Sequence, residues 1–318
     1  MALHLITGGA GFIGSSIAEA LVARGDSVRI VDDFSSGRLE NLEGLGGRFD
    51  LVRATVADPV AIGRAMQGVD VVFHQAAIPS VVRSVEDPIA TMLVGVQGTT
   101  VVLDAARRAG ARRVVLAASS AAYGDGPILP KVESMPPLPL SPYATSKVAG
   151  EYLMRVFAEL YGIETVSLRY FNVFGPHQDP KSEYAAVIPK FITAAIRRQR
   201  PTVFGDGEQT RDFCYIDNVV TANLLSADTP RRLRGEVLNI ACGQRMSLNR
   251  LIAEIGEVTG VRLEPEYRPP RPGDVRDSVA DIRAAHEALG YEPTVTVSDG
   301  LKLTFEALSR ASHRTELA

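Results

Sequence analysis

Tyr143 and Lys147 stand four residues apart in a stretch with a helical pattern, so both side chains are expected on one helix face. A free phenol has a pKa of about 10 and is a poor base near neutral pH. A neighbouring ammonium group favours the phenolate and lowers that pKa. Ser119 and Ser120 follow an apolar, strand-like run and could hold a substrate oxygen while its proton leaves. These side chains predict acid–base chemistry on a substrate hydroxyl.

A glycine-rich run near the N-terminus, TGGAGFIG, carries the second chemical signal. Its Gly8, Gly11 and Gly14 permit a tight turn, close approach of a pyrophosphate and close packing of helix on strand. The helix N-terminus adds unpaired N–H groups and a partial positive charge. The second strand ends at Asp32 and Asp33, the distance at which an acid meets an adenosine ribose. A carboxylate repels a 2′-phosphate, so the sequence favours NAD over NADP and, with the phenol, predicts hydride transfer.

Strand and helix patterns alternate over the first 170 residues and supply the elements that must position these groups. Strands are predicted at Leu3–Ile6, Ser27–Val31, Phe49–Val52, Val69–His74, Arg113–Ala117 and Thr165–Arg169. Helices are predicted near 13–24, 59–67, 88–109 and 143–161. This alternation predicts an α/β fold with a doubly wound, Rossmann-like parallel sheet joined by right-handed crossovers.

The pattern becomes irregular after Asn172 and predicts a second, smaller lobe of mixed α/β structure over the sheet's C-terminal edge. Further helices are predicted near 185–199, 215–227 and 247–259. We assign 1–175 to the NAD-binding domain with a return segment at about 212–240, 176–211 and 241–311 to the substrate lobe, and 312–318 to a frayed tail. The proline-rich stretch 124–142 predicts an ordered loop or lid, or equally a surface connection.

The composition is that of an ordinary globular protein: 318 residues, 46% hydrophobic and 22% charged. A formal charge of −3 gives no reason to expect nucleic acid or an acidic membrane as a partner. No apolar run is expected to span a bilayer, and the early strand at Leu3 leaves no room for a cleaved signal. Cys214 and Cys242 match neither a disulfide framework nor a metal site, which favours a cytoplasmic, reducing location and no metal.

The chain resembles the extended short-chain dehydrogenase/reductase family along nearly its whole length. The resemblance is carried by the Tyr143/Lys147 pair and by TGGAGFIG at 7–14, DDFSSG at 32–37, HQAA at 74–77, SSAAYG at 119–124, LRYFNVFGP at 168–176, RDFCYIDN at 211–218 and RPGDVRDS at 271–278. Within the family it is most like the nucleotide-sugar 4-epimerases, and among these the UDP-N-acetylglucosamine 4-epimerases.

This resemblance implies an isomerase that uses bound NAD without net redox change. Tyr143 would take the proton from O4 of a UDP-hexose, the C4 hydride would pass to NAD, and hydride would return to the other face of a transient 4-keto sugar. Ser119, with Ser120 as the alternative, would hydrogen-bond O4. Lys147 would hold the nicotinamide ribose and tune Tyr143.

The resemblance also implies which residues bind. The expected cofactor contacts are Gly8, Gly11, Phe12, Ile13, Gly14, Asp32, Asp33, Phe34, Ser35, Ser36, Gly37, Thr55, Val56, Gln75, Ala76, Ala77, Phe171 and Val173. The expected substrate contacts are Ser80, Asn172, Gln178, Ala186, Val203, Arg211, Arg271, Asp274 and Ser278. Arg211 and Arg271 would meet the diphosphate, because a planar guanidinium can engage phosphate through two hydrogen bonds.

Two small residues bear on the choice of sugar. Ser278 lies four residues after Asp274, where the glucose/galactose epimerases carry a bulky tyrosine, and Ala186 replaces a larger polar residue of that group. Both leave room for a 2-acetamido group. A missing wall rejects a smaller substrate only weakly, so we expect use of both sugar types with the N-acetylated one favoured.

Two residues depart from the family pattern. Gly95 replaces a usual asparagine in the helix beneath the active site, and Thr55 replaces an acid that contacts adenine; both could loosen NAD. The alternatives are a UDP-glucuronate 4-epimerase or decarboxylase on the same scaffold and, less favoured because the Tyr/Lys pair is retained, a non-catalytic NAD-binding regulator. The resemblance further implies a homodimer through helices 88–109 and 143–161, although core burial explains their amphipathic faces equally well.

Overall fold

The computed structural model describes residues 2–178, 187–270 and 275–316. Among the predicted substrate contacts, Ala186, Arg271 and Asp274 lie outside the described residues.

The described chain contains thirteen strands and eleven α-helices. The strands are β1 (Leu3–Thr7), β2 (Ser27–Asp32), β3 (Asp50–Arg53), β4 (Val71–His74), β5 (Arg113–Ser119), β6 (Glu164–Tyr170), β7 (Val173–Phe174), β8 (Thr202–Phe204), β9 (Thr210–Arg211), β10 (Cys214–Tyr215), β11 (Arg234–Ile240), β12 (Met246–Ser247) and β13 (Glu266–Arg268). The helices are α1 (Phe12–Arg24), α2 (Pro59–Ala65), α3 (Val81–Glu86), α4 (Pro88–Met92), α5 (Thr99–Ala109), α6 (Pro142–Tyr161), α7 (Val187–Ile196), α8 (Ile216–Asp228), α9 (Leu248–Thr259), α10 (Arg283–Leu289) and α11 (Val297–Glu316).

Seven strands form one parallel sheet in the order β11-β6-β5-β4-β1-β2-β3. The central strands β1 and β4 carry apolar side chains on both faces, as a sheet covered by helices on both sides requires. Ile6 and Phe73 belong to the core on one face, whereas Leu5 and Val72 belong to the core on the other. The predicted Rossmann-like fold is confirmed.

The C-terminal ends of these parallel strands meet at one edge of the sheet, where ligands bind in open α/β folds. The turn from β1 into α1, the acid at the end of β2, the segment after β4 and the serines at the end of β5 all lie at this edge. Three short strand pairs, β7 with β10, β8 with β13 and β9 with β12, are formed by the chain after β6.

The segment predicted as one helix over 88–109 is interrupted. Helix α4 passes into a π-helical turn, Leu93–Gly98, before α5 continues the segment. The expectation that no apolar run could span a bilayer is wrong by length and composition, since the 22-residue segment Pro88–Ala109 contains an 18-residue window with a mean hydropathy of 1.5. One such helix is weak evidence for a membrane, because a core helix meets the same criteria, and this segment packs on α2 and α6.

Candidate active site

The turn between β1 and α1 is closed around glycines. Gly8 has a φ of +67°, and a Cβ there would lie 2.8 Å from the backbone of Ala76. A Cβ on Gly14 would lie 2.2 Å from the carbonyl oxygen of Gly8, so the helix can approach the strand only without side chains at these points. Gly11 precedes α1 and supplies no side-chain cap to its first N–H groups. The turn therefore fits a pyrophosphate at the helix N-terminus.

Asp32, at the end of β2, is 7% exposed and braces the loop beside that turn. Its carboxylate accepts hydrogen bonds from the backbone N–H of Ala10 at 2.9 Å and of Phe34 at 2.8 Å. Burial raises the pKa of Asp32 above its ordinary value, and the two backbone hydrogen bonds offset only part of that effect. The acid lies where the sequence predicted a ribose contact, and an ionised carboxylate there suits NAD.

The other predicted cofactor positions fall into segments that follow the strands at the same edge. Phe12 and Ile13 begin α1; Asp33, Ser35, Ser36 and Gly37 follow β2; Thr55 and Val56 follow β3; Gln75 and Ala77 follow β4; and Val173 lies just past β6. Phe171 differs from these positions in having no exposed side-chain surface. Its ring is fully buried and packs against Tyr123, with ring centroids 6.1 Å apart.

Tyr143 lies in the first turn of α6, whose start is fixed by Ser141: the Ser141 hydroxyl accepts a hydrogen bond from the N–H of Ala144 at 3.1 Å. The Ser119 side chain lies close enough to the phenol of Tyr143 to lower its pKa. The structure thus brings Ser119 to the phenol, whereas Ser120 begins the 3₁₀ turn Ser120–Tyr123.

Lys147 completes the group. Its Nζ lies 5.9 Å from the ring centroid of Tyr143 and donates a hydrogen bond to the carbonyl oxygen of Ala117 at 2.7 Å. Burial lowers the pKa of Lys147 to about 8, although Glu151 opposes the shift. Burial also raises the pKa of Tyr143 above its ordinary value, and the neighbouring Ser119 side chain offsets only part of this. The expectation of a lowered pKa for this phenol is wrong for the free protein, because desolvation dominates.

A buried ion pair lies beyond Lys147, and the sequence analysis did not find it. Arg169 donates two hydrogen bonds to Glu151, at 2.8 and 2.7 Å, and its guanidinium stacks 4.5 Å from the ring centroid of Tyr123. Glu151 is four residues after Lys147 on the same helix, and that spacing is the signal that could have revealed it. The carboxylate of Glu151, neutralised by Arg169, therefore lies near the Lys147 ammonium.

On the substrate side, three predicted residues lie together. Asn172 has a φ of +32°, and its Nδ2 donates to the carbonyl oxygen of Asp212 at 3.0 Å and to Ser278 Oγ at 3.5 Å. The Ser278 N–H donates to the carbonyl oxygen of Thr210 at 3.1 Å, which places it beside Arg211 in β9. Asn172, Ser278 and Arg211 therefore share one region past the end of β6.

Three other predicted substrate contacts have structural partners of their own. The Ser80 hydroxyl caps α3 by accepting from the N–H of Arg83 at 3.1 Å, and Gln178 Nε2 donates to the carbonyl oxygen of Val173 at 2.8 Å. Val203 is only 1% exposed within the core, so in this structure its side chain presents no surface to a ligand.

A phenol, a hydroxyl and an ammonium grouped beside a dinucleotide cradle define an enzyme of the short-chain dehydrogenase/reductase type. Residues 4–241 match the NAD dependent epimerase/dehydratase family, and the chain belongs to that family. Its cofactor is therefore NAD, and it is an isomerase of the epimerase branch.

Similar proteins cover the chain almost completely. It is 40% identical over 306 residues to a UDP-glucose 4-epimerase of Mycolicibacterium smegmatis, covering 95% of this chain and 97% of the relative. A solved UDP-N-acetylglucosamine 4-epimerase from Methanobrevibacter ruminantium, in complex with UDP-N-acetylmuramic acid, is 37% identical with a TM-score of 0.93, covering 98% and 99% of the two chains. A UDP-glucose 4-epimerase from Thermotoga maritima with UDP-glucose is also 37% identical, with a TM-score of 0.92 and the same coverage.

Proposed function

We propose that this protein interconverts UDP-hexoses that are epimers at C4, and that it favours UDP-N-acetylglucosamine and UDP-N-acetylgalactosamine over UDP-glucose and UDP-galactose. The placement of the Ser119 side chain next to the Tyr143 phenol, with Lys147 Nζ 5.9 Å from the centroid of the phenol ring, is the observation that carries the proposal. The relatives named for UDP-glucose and for UDP-N-acetylglucosamine support a UDP-sugar substrate.

In this proposal Tyr143 takes the proton from the sugar O4 and later returns it. Burial keeps the phenol protonated in the free protein. The Lys147 ammonium acts in the opposite direction, because its positive charge favours ionisation of the phenol. Ser119 lies next to the phenol, and its hydroxyl would hold O4 in line with the phenol oxygen. NAD would be held by the glycine turn around Gly8 and Gly14 and by Asp32, and when bound it would supply the redox chemistry, as acceptor and then donor of the C4 hydride through a transient 4-keto sugar.

The preference for an N-acetylated sugar rests on Ser278. Its short side chain is in contact with Asn172 and follows the segment paired with β9, where a tyrosine ring would occupy far more volume. A 2-acetamido group needs that space, whereas a 2-hydroxyl only leaves it partly unfilled. The proposal therefore includes activity on both sugar types.

The substrate class is tested by assaying UDP-N-acetylglucosamine, UDP-glucose and UDP-glucuronate side by side, without added NAD and with products resolved. We expect turnover of the first two, a higher kcat/KM for the first, and none of the third. Preferential turnover of UDP-glucuronate would favour the alternative UDP-glucuronate 4-epimerase or decarboxylase.

The assigned base is tested with Tyr143→Phe. This variant should lose activity by roughly 10²–10⁴-fold while keeping its fold and its bound NAD, because only the proton-transferring oxygen is removed. Wild-type activity of Tyr143→Phe would refute the assigned base.

The pocket argument predicts that Ser278→Tyr lowers kcat/KM for UDP-N-acetylglucosamine on the order of 10–100-fold more than for UDP-glucose, because the ring fills the acetamido space. Ser278→Ala is the matched control: it removes the hydroxyl without adding volume and should keep the wild-type preference. Both values of kcat/KM are measured for each variant. Equal losses of kcat/KM on the two sugars would contradict the proposal that the small Ser278 side chain leaves space for the acetamido group.

We further propose that the protein is a homodimer that associates through α4–α5 and α6. Apolar side chains stand exposed on these helices, among them Ile89, which is 81% exposed, and Leu160, which is 67% exposed. A cytoplasmic location stays a prediction, supported by two cysteines that are free in the structure.

A further inference from the structure

Three buried side chains form a continuous row beneath the active site. Thr7, His74 and Thr99 are each at most 2% exposed. Thr7 Oγ1 lies 2.7 Å from His74 Nδ1, and His74 Nε2 lies 3.0 Å from Thr99 Oγ1. The row crosses from the end of β1, through the end of β4, to the start of α5.

The proton positions in this row follow from its two ends. A hydroxyl has one proton, and Thr99 donates its own to the carbonyl oxygen of Gly95 at 2.6 Å. Thr99 can therefore only accept from the imidazole, which places the ring proton of His74 on Nε2. In a neutral ring Nδ1 is then unprotonated and accepts from the Thr7 hydroxyl. The Thr7 oxygen in turn accepts from the N–H of Ala76 at 3.3 Å.

The neutral form of His74 agrees with its surroundings. Burial, with a further contribution from the positive charge of Lys147, lowers the pKa of His74 to about 3. At neutral pH the imidazole therefore has one hydrogen-bond donor and one acceptor. Each of the three side chains in the row donates one hydrogen bond and accepts one.

The row joins two working parts of the protein. At one end Ala76 lies against Gly8 of the dinucleotide cradle, since a Cβ on Gly8 would be 2.8 Å from Ala76. At the other end Gly95 lies against α6, since a Cβ on Gly95 would be 2.7 Å from both Cβ and Oγ of Ser146. Ser146 immediately precedes Lys147, and its Oγ donates to the carbonyl oxygen of Tyr143 at 2.8 Å.

We propose that the directed chain Ala76–Thr7–His74–Thr99–Gly95 holds the catalytic helix α6 in register with the dinucleotide cradle, which makes His74 and Thr99 positioning residues. The chain fixes the π-helical turn Leu93–Gly98, and α6 packs on that turn without an intervening side chain from Gly95. This inference rests on the proposed role of α6 as carrier of the acid–base pair. A displacement of that helix would misplace the phenol, and geometry errors of about 1 Å can cost on the order of 10²-fold in rate.

Thr99→Val tests the chain, because it keeps the shape and removes both hydrogen bonds. We expect kcat to fall on the order of 10- to 100-fold while the KM for the UDP-sugar changes by less than about twofold, and we expect Thr99→Ser to restore kcat. Thr100→Val is the matched control: the neighbouring Thr100 hydroxyl makes the same kind of bond, to the Val96 carbonyl oxygen at 2.9 Å, but does not touch His74. It should behave as wild type.

The kinetic measurements and an independent NMR measurement can each overturn the proposal. Wild-type kcat in Thr99→Val, or equal losses in Thr99→Ser and Thr99→Val, would show that the hydroxyl positions nothing. Independently of activity, ¹⁵N NMR of the histidine rings in the wild-type protein at pH 7 should show His74 with a protonated Nε2 and an unprotonated Nδ1; the reverse tautomer or a charged ring would break the chain. If Tyr143→Phe is inactive while Thr99→Val is unaffected, the positioning role alone fails and the proposed function stands.

Discussion

Lys147 shows how one residue is held in an unfavourable state for function. Lys147 is 7% exposed, and its ammonium has a carbonyl oxygen of β5 as hydrogen-bond acceptor and a carboxylate one helical turn away. Burial nevertheless dominates and lowers its pKa to about 8. Folding therefore places a charged lysine where charge is costly, which is the arrangement that the proposed role of Lys147 beside the Tyr143 phenol would require.

This cost predicts a pH dependence of stability. The pKa of Lys147 is about 8 in the folded protein and near its ordinary value of 10.5 in the unfolded chain, so between these values the unfolded chain binds more protons. The free energy of unfolding should then rise with pH through this window, by up to about 2 kcal/mol between pH 8 and pH 10. Chemical denaturation of the nucleotide-free protein at several pH values measures it, and Lys147→Met should remove the rise.

Lys302→Met is the control for this measurement, because Lys302 is exposed in α11. It should leave the pH dependence as in wild type. An identical slope in the wild type and in Lys147→Met would show that Lys147 titrates alike in both states.

Residue types and spacing were enough to predict which residues form the acid–base group, but not the pKa values of those residues. Tyr143 and Lys147 could be predicted because four residues return a helix to the same face. The contact of Ser119 rather than Ser120 depends on where β5 gives way to the 3₁₀ turn, which the sequence does not mark. The raised pKa of Tyr143 depends on burial by distant segments, which no local pattern contains.

At the scale of elements, the sequence predicted six of the seven strands of the central sheet and missed β11, as well as the two- and three-residue strands outside that sheet. Strand β11 pairs in parallel with β6 at the edge of the sheet, yet its sequence RGEVLNI carries a glycine and several polar side chains. Asn239 is buried there because its side chain bonds to Tyr123 at 2.7 Å and to the Lys131 carbonyl oxygen at 3.0 Å. Such partners come from remote segments, so the alternation rule could not find this strand.

Gly95 explains a departure from the family pattern that the sequence left open. The space beside its Cα is filled by the Ser146 side chain of α6, so an asparagine there would collide unless α6 moved outward. The loss of a side chain is thus coupled to a closer helix contact, and the local backbone remains ordered as a π-helical turn. The replacement of an acid by Thr55 has no such explanation in the structure.

Over the whole molecule, α6 links catalysis to a second surface. Its first turns carry Tyr143 and Lys147 toward the sheet edge, whereas Tyr152, Val156 and Leu160 recur every four residues on one face and are each at least 46% exposed. A contiguous exposed apolar face marks an interaction surface. The apolar run Pro88–Ala109 packs against α6, so a second copy of this chain can account for its hydropathy without a membrane.

The proposed homodimer is tested with the double variant Val156→Glu/Leu160→Glu. Two carboxylates in an apolar interface would lose hydration without a partner, so we expect the variant to sediment at the mass of one chain where wild type sediments at twice that mass. Leu39→Glu is the control, because Leu39 is 59% exposed in the 3₁₀ turn after β2, which packs on α1, and it should remain dimeric. A monomeric wild type, or a double variant that stays dimeric, would place the association elsewhere and leave the apolar face of α6 without its assigned partner.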